Sequence, residues 1–233
     1  SFPPTFFPKE ITWKHMISIW NRIPLMTYIK NTIIFAVGVA FVSVMIDSLA
    51  GYAFARISFK GRNVLFSLIL LTMMVPFQVT MIPLYIETYK FGLLNTFVGL
   101  ILPRAATAYG IFFMRSFFLG LPKDLEEAAR LDGCNIGQTF LYIMAPLTRS
   151  SMVALGIFTA VFAFKDLMWP MIVNTDKDML VLSSALAKMQ GQYVSKFPEL
   201  MAASLIACIP MIVIYMIFQK QFIEGIATSG GKL

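Results

Sequence analysis

Four charged side chains stand inside otherwise apolar runs of this chain: Asp47, Arg104, Lys165 and Asp166. Charge is costly in hydrocarbon, so such groups face a bundle interior or a water-filled cavity and mark solute paths or ion pairs. For Arg104, Lys165 and Asp166 both uses stand open: they meet a passing solute, or they pair among themselves or with a partner subunit. Gln78, beside Pro76, is a further gate candidate, whereas Met73, Met74 and Met81 read as adaptable packing.

Other chemistries lack their parts. To cradle a phosphate, Gly230-Gly231-Lys232 would need a glycine where Ile226 stands, a hydroxyl where Leu233 stands, and a helix afterwards. His15 is the one histidine, so no metal site or triad can be built on several of them. Glu126-Glu127 lacks an opposing acid for hydrolysis. Cys134 falls in a polar stretch and Cys208 in an apolar run, surroundings too unlike for the two to meet, so both read as free thiols.

The elements that must position these groups are those of a membrane protein. The 233 residues are 58% apolar and 13% charged, against roughly a quarter charged in soluble domains. The net charge of +7 is spread among hydrophobic runs, which suits anionic lipid headgroups and not nucleic acid. Runs long enough to cross hydrocarbon occur at 31–55, 64–86, 91–114, 150–173 and 200–219, so the pattern predicts an all-α polytopic protein with five spanning helices, residues 1–233 forming one transmembrane domain. Residues 1–30, rich in proline, aromatics and bases, suit the membrane boundary, with a short surface helix over 13–21. Residues 174–199 are polar, with a turn signal at Gly191-Gln192-Tyr193.

Between the third and fourth runs lies a polar island, 121–147, that reads as two short helices and a bend. Pro122 suits a first helical turn, Asp124, Glu126 and Glu127 complement the N-terminal dipole, and Gly133 stops the helix near Asp132. Asn135 can cap a second helix carrying Ile136, Phe140, Ile143 and Met144, interrupted at Pro146. Leu125, Ala128 and Ala129 are expected on one face of the first helix, with Glu127 and Arg130 able to bond at its rim.

Glu127-Ala128-Ala129, Asp132-Gly133, then Phe140, Ile143 and Pro146 resemble the cytoplasmic coupling motif of the membrane subunits of bacterial ATP-binding-cassette importers. Over nearly its whole length the chain is similar to the maltose-type inner-membrane permeases of the sugar-importer branch, including the helix end Gly51-Tyr52-Ala53-Phe54-Ala55-Arg56 and the tail Phe222-Ile223-Glu224-Gly225. Ala145 stands where that family usually has leucine, and Phe164-Lys165-Asp166 where a Trp-Asn-acid run is common; the second departure bears on the substrate path.

The resemblance implies a permease subunit of an ATP-driven sugar or oligosaccharide importer in the bacterial inner membrane, forming half of the path. It implies six spans, one of them ahead of Ser1. The implied partners are a second homologous permease, two ATPase subunits that carry the ATP and magnesium, and an extracytoplasmic sugar-binding protein; this chain holds no cofactor. The loop 121–147 would dock in a groove of the ATPase, with Glu127 as anchor, Ala128 and Ala129 permitting close approach, and Asp132-Gly133 making the bend. Loop and C-terminus would then be cytoplasmic, and the tail 222–233 either reaches the ATPase or is a frayed end. That orientation puts Arg104, Lys165 and Asp166 in the outer half of their spans, where they would meet sugar hydroxyls. The bases alone divide nine to eight between the sides and do not decide it.

An ion-gradient-driven carrier and a non-transporting scaffold are the rivals. The halves show no convincing repeat and Asp47 is alone in its span, which disfavours the first; the island disfavours the second. Glu127→Ala and Gly133→Asp are each expected to leave the chain folded while uncoupling ATP hydrolysis from uptake. Uptake measured in reconstituted vesicles checks this, and a wild-type rate in either variant would refute the assignment.

Overall fold

The computed structural model describes residues 12–192 and 197–230, and every regular element among them is helical. The sequence expectations for residues 1–11, Tyr193 and 231–233 fall outside the described residues. Helix α1 (Lys14–Arg22) leads into α2 (Leu25–Arg56), 32 residues long. One stripe of α2, including Leu25, Phe35, Val39 and Asp47, is buried, while Val37, Phe41 and Met45 on the other side are exposed and equally apolar. A helix apolar all round belongs in lipid or in the middle of a bundle.

The later elements are broken spans. Helices α3 (Arg62–Thr72) and α4 (Phe77–Lys90) meet at 100°. Pro76 causes this break, because it cannot donate a backbone hydrogen bond and forces its predecessor out of the helical region. Helix α5 (Phe97–Ile101), a 3-10 turn at Leu102–Arg104, and α6 (Ala108–Leu119) form a pair bent by 53°. Thr96 and Thr107 cap α5 and α6 by accepting from the Gly99 and Gly110 N–H groups. Helices α7 (Asp124–Leu131), α8 (Ile136–Thr139) and α9 (Ala145–Leu147) make up the polar island, with a π-helical turn at Phe140–Met144. Helix α10 (Arg149–Lys165) leaves the Ile136–Leu147 segment at 78°. Helices α11 (Met168–Val173), α12 (Leu182–Gln192) and α13 (Phe197–Gly230) complete the described chain.

By length and composition, α2 and Phe197–Ile214 of α13 can each cross a membrane, and the three bent pairs bring the number to as many as five. Two expectations need correction. The run 150–173 is not one helix: α10 stops at Lys165, and Asp166, in extended backbone, starts a separate turn into α11. The polar stretch 174–199 contains α12, in which Gly191 and Gln192 are helical and form no turn. Hydropathy averages over such reversals and does not register them.

Helix α2 is the centre, packed along α6 and α10. Asp47, fully buried, accepts from Ser43 Oγ at 2.7 Å and from the backbone N–H and hydroxyl of Thr107, both at 3.1 Å. Nine residues on along α2, Arg56 reaches the far end of α6, so the two helices run in the same direction. They approach without intervening side chains. A Cβ at Gly51 would lie 2.8 Å from Met114 Cβ, and one at Gly110 would fall on the Asp47 carboxylate. Two apolar cores flank this contact, one around Tyr52, Phe118, Met144 and Leu155, the other around Phe35, Leu100, Trp169 and Val181. At the end of α2 opposite Arg56, Asn31 Nδ2 donates to the Asp178 and Leu180 carbonyls and Thr32 Oγ1 accepts from the Leu182 N–H, fixing the 174–182 connection.

Gly110→Ala should displace Asp47 from Thr107 and lower stability by about 1–3 kcal/mol, the usual cost of overpacking. A reduced midpoint in a thermal melt of the purified protein checks this, and an unchanged midpoint would show that the α2–α6 contact is looser than described.

Candidate functional site: a latched loop and a charged helix break

The polar island is fastened to the end of α2 by a buried latch. Arg56 donates through Nε and Nη2 to the Phe118 carbonyl at 2.9 and 2.5 Å, and through Nη2 to the Leu121 carbonyl. These carbonyls lie at and just beyond the C-terminus of α6, where a cation complements the helix dipole. Nη1 of Arg56 lies 3.4 Å from Glu126 Oε2, and Tyr52 donates its hydroxyl to Glu126 Oε1 at 3.1 Å. Both partners of the ion pair are largely buried, with side chains 5% and 12% exposed. Tyr52 also stacks against Phe118 and Phe140, so the latch has an aromatic floor.

Because Glu126 and Ala129 turn inward, α7 shows Glu127, Ala128 and Leu131 to the outside, the last 89% exposed. The expected common face of Leu125, Ala128 and Ala129 is therefore divided: Ala129 is buried and Leu125 half-buried, while Ala128 is exposed beside Glu127. Helical geometry explains it, since residues 125, 126 and 129 form one arc and 127, 128 and 131 another. Arg130 does not bond Glu127; it borders a recess of about 440 Å³ behind the helix, with Tyr52, Cys134 and Asn135. Asp132 ends α7 and Gly133 follows in the left-handed region, φ 82°, where a side chain would be strained. Asn135 and Gln138 then form a reciprocal capping box on α8. Cys134 and Cys208 are both free thiols.

The residues singled out for a path fare differently. Arg104 and Asp166 form an ion pair at 2.9 Å, and the guanidinium lies 4.1 Å above the Phe77 ring. Asp166 is further held at the α11 N-terminus, accepting from the Trp169 N–H at 3.4 Å. Lys165 is exposed and belongs to no ion pair among the described residues. Gln78 is exposed, with its amide 3.7 Å from Met168 sulfur. Arg104 and Asp166 thus come together, while Gln78 and Lys165 bond to neither of them. Among the described residues no group of histidine, cysteine and carboxylate side chains could hold a metal.

Sequence reasoning missed the latch. Tyr52 and Arg56 are one helical turn apart and Glu126 was visible only as first-turn charge; the signal lay in pairing them across the chain. Thr107, the partner of buried Asp47, was missed as well.

Comparison with known proteins gives this geometry its context. Residues 47–227 match the family described as binding-protein-dependent transport system inner membrane component. The arabinooligosaccharides transport system permease protein AraQ of Halalkalibacterium halodurans is 34% identical over 228 residues, covering 97% of this chain and 82% of that one. The lactose transport system permease protein LacG of Rhizobium radiobacter is 31% identical, covering 92% of this chain and 79% of its own. In fold, the chain is similar to the crystal structure of a bacterial ABC transporter involved in the import of the acidic polysaccharide alginate, with a TM-score of 0.79, 25% identity, and coverage of 93% of this chain and 81% of that one. With more than three quarters of its length inside that family match and relatives above 30% identity along nearly all of it, this chain belongs to the binding-protein-dependent transport system inner membrane components, the permease subunits of ABC importers, in which ATP is hydrolysed by a separate subunit.

Proposed function

We propose that this permease serves a sugar or oligosaccharide importer, that residues 1–233 form one transmembrane domain with five spans supplying half of the path, and that 121–147 is the loop that couples it to the ATPase. The observation that carries the coupling role is the two-sided build of α7: Glu126 is locked inward to Tyr52 and Arg56, while Glu127, Ala128 and Leu131 face out. A small residue between a carboxylate and an exposed leucine suits a groove that grips one helix edge. Family membership and the names of the sugar permeases favour this reading over an ion-driven carrier or a scaffold.

The working assembly contains this chain, a second homologous permease, two ATPase subunits holding ATP and magnesium, and an extracytoplasmic sugar-binding protein. It sits in the bacterial inner membrane with 121–147 and the C-terminus on the cytoplasmic side. Closure of the ATPase pair pushes on α7, and the latch passes that displacement to α2 and α6 together. Asp132 and Gly133 end the helix that is gripped, and Glu127 anchors it. Arg104 and Asp166 border the outer part of the path, with Gln78 and Lys165 at more exposed positions.

The latch and the gripping edge separate by mutation. Arg56→Ala removes the side-chain donor from the Phe118 and Leu121 carbonyls and the cation from Glu126; breaking a buried pair in this way costs about 3–5 kcal/mol. Glu126→Gln retains a partner for Tyr52 and should cost less. Both variants keep the outer edge of α7, so the ATPase should still co-purify while solute moved per ATP hydrolysed falls. Glu127→Ala should instead lose ATPase on purification. Unchanged transport stoichiometry in Arg56→Ala would rule out the latch as the transmitting element.

A further inference from the structure

The break between α5 and α6 opens a cleft of about 520 Å³ against α2 and α10, bordered by Arg104, Thr107, Tyr109, Phe158, Thr159 and Phe162. It differs in kind from the broad groove along the other side of α2 and α10, which passes Val37, Phe41, Val153 and Gly156 and carries charge only at Arg149. An apolar groove of that sort suits lipid tails or another helix. The cleft does not, because residues 102–107 leave the α-helix there, and such backbone at membrane depth is tolerated only when covered by protein or lining a water-filled cavity. Discontinuous helices in transporters build solute sites in this way.

Two features of the cleft would ordinarily attract an anion, and the chain cancels both. The Arg104 guanidinium is paired to Asp166 at 2.9 Å and covered on one face by Phe77. The N-terminus of α6, a place where backbone dipoles favour negative charge, is occupied by the buried Asp47 carboxylate, which takes the Thr107 N–H at 3.1 Å. Lys165 does not border the cleft. What the cleft offers is the aromatic rings of Tyr109 and Phe162, the hydroxyls of Tyr109 and Thr159, and a guanidinium whose side chain, 29% exposed, is neutralised yet still able to donate. Apolar faces with a few convergent polar groups are the makings of a small-molecule site.

We propose that this cleft is a subsite for an uncharged oligosaccharide. Sugar rings lay their C–H faces on Tyr109 and Phe162, and their hydroxyls accept from Arg104 and exchange hydrogen bonds with Tyr109 and Thr159. Uronates and phosphates are rejected because their desolvated charge meets no uncompensated cation, a selectivity made by withholding a partner. The assignment rests on the sugar-importer reading and adds the charge class of the sugar and its place in this chain.

The test uses the assembled importer in lipid nanodiscs without its solute-binding protein, so that selectivity belongs to the membrane complex. Equilibrium binding is measured with radiolabelled arabinotriose and trigalacturonate. The wild-type importer should favour the neutral probe by about tenfold or more, and Tyr109→Ala with Phe162→Ala should weaken arabinotriose by about tenfold, an energy of the size of one or two lost ring contacts. Asp166→Asn should strengthen trigalacturonate by about tenfold by releasing the Arg104 charge. Should that variant not assemble, Arg104→Gln with Asp166→Asn, which removes both charges, should keep the neutral preference. Failure of the wild type to bind arabinotriose, equal binding of the two probes, wild-type affinity in the aromatic double variant, continued exclusion of uronate by assembled Asp166→Asn, or a gain of uronate by the doubly neutral variant would each overturn the proposal. None of these touches the sugar-importer reading, which fails separately if vesicles holding the importer together with its solute-binding protein show no ATP-driven uptake of any sugar.

Discussion

Helix α6 is held at both ends by charges from α2, and the rest of the arrangement follows from that. Asp47 takes the N–H at its start, and Arg56 donates to the Phe118 and Leu121 carbonyls at its finish. Each charge has the sign that complements the helix dipole at that end, and each fills a role that water would play outside a membrane. Gly51 and Gly110 let the backbones approach closely enough for these bonds to form. The α5–α6 break survives because Asp47 and the Thr107 cap satisfy it, and α7 hangs from Arg56 through Glu126.

Much of the architecture was legible in the sequence. Runs of apolar residues located the helices but not their ends, since α2 starts six residues ahead of the run 31–55 and α13 continues eleven past the run 200–219; Pro76, Gly133 and Asn135 marked real punctuation through their own backbone chemistry. Reversals inside apolar runs were not legible. Lys165-Asp166 stood out only as charge and did not announce the end of α10, and the 78° bend before Arg149 falls after Pro146 instead of at it.

The candidate site divides along the same line. The positions of Glu127, Asp132 and Gly133 on the island were readable because they depend only on one helix and its end. The bonds from Tyr52 and Arg56 to Glu126 join residues 74 and 70 positions apart, and no local pattern announces them. The partners of Arg104 stayed open between solute and ion pair until geometry put Asp166 at 2.9 Å. An acid and a base in neighbouring spans are compatible with either role from sequence alone, and distance decides between them.

The contrast between the α2–α6 contact and the region after α7 determines how the chain can deform. Two helices fused by buried charge and glycine contact act as one stiff beam. Compliance is concentrated at the π-turn of Phe140–Met144 and at the 78° break, where the hydrogen-bond ladder already departs from the α-helix. That elbow is where the backbone geometry lets the chain bend, while α2 and α6 keep their mutual contact.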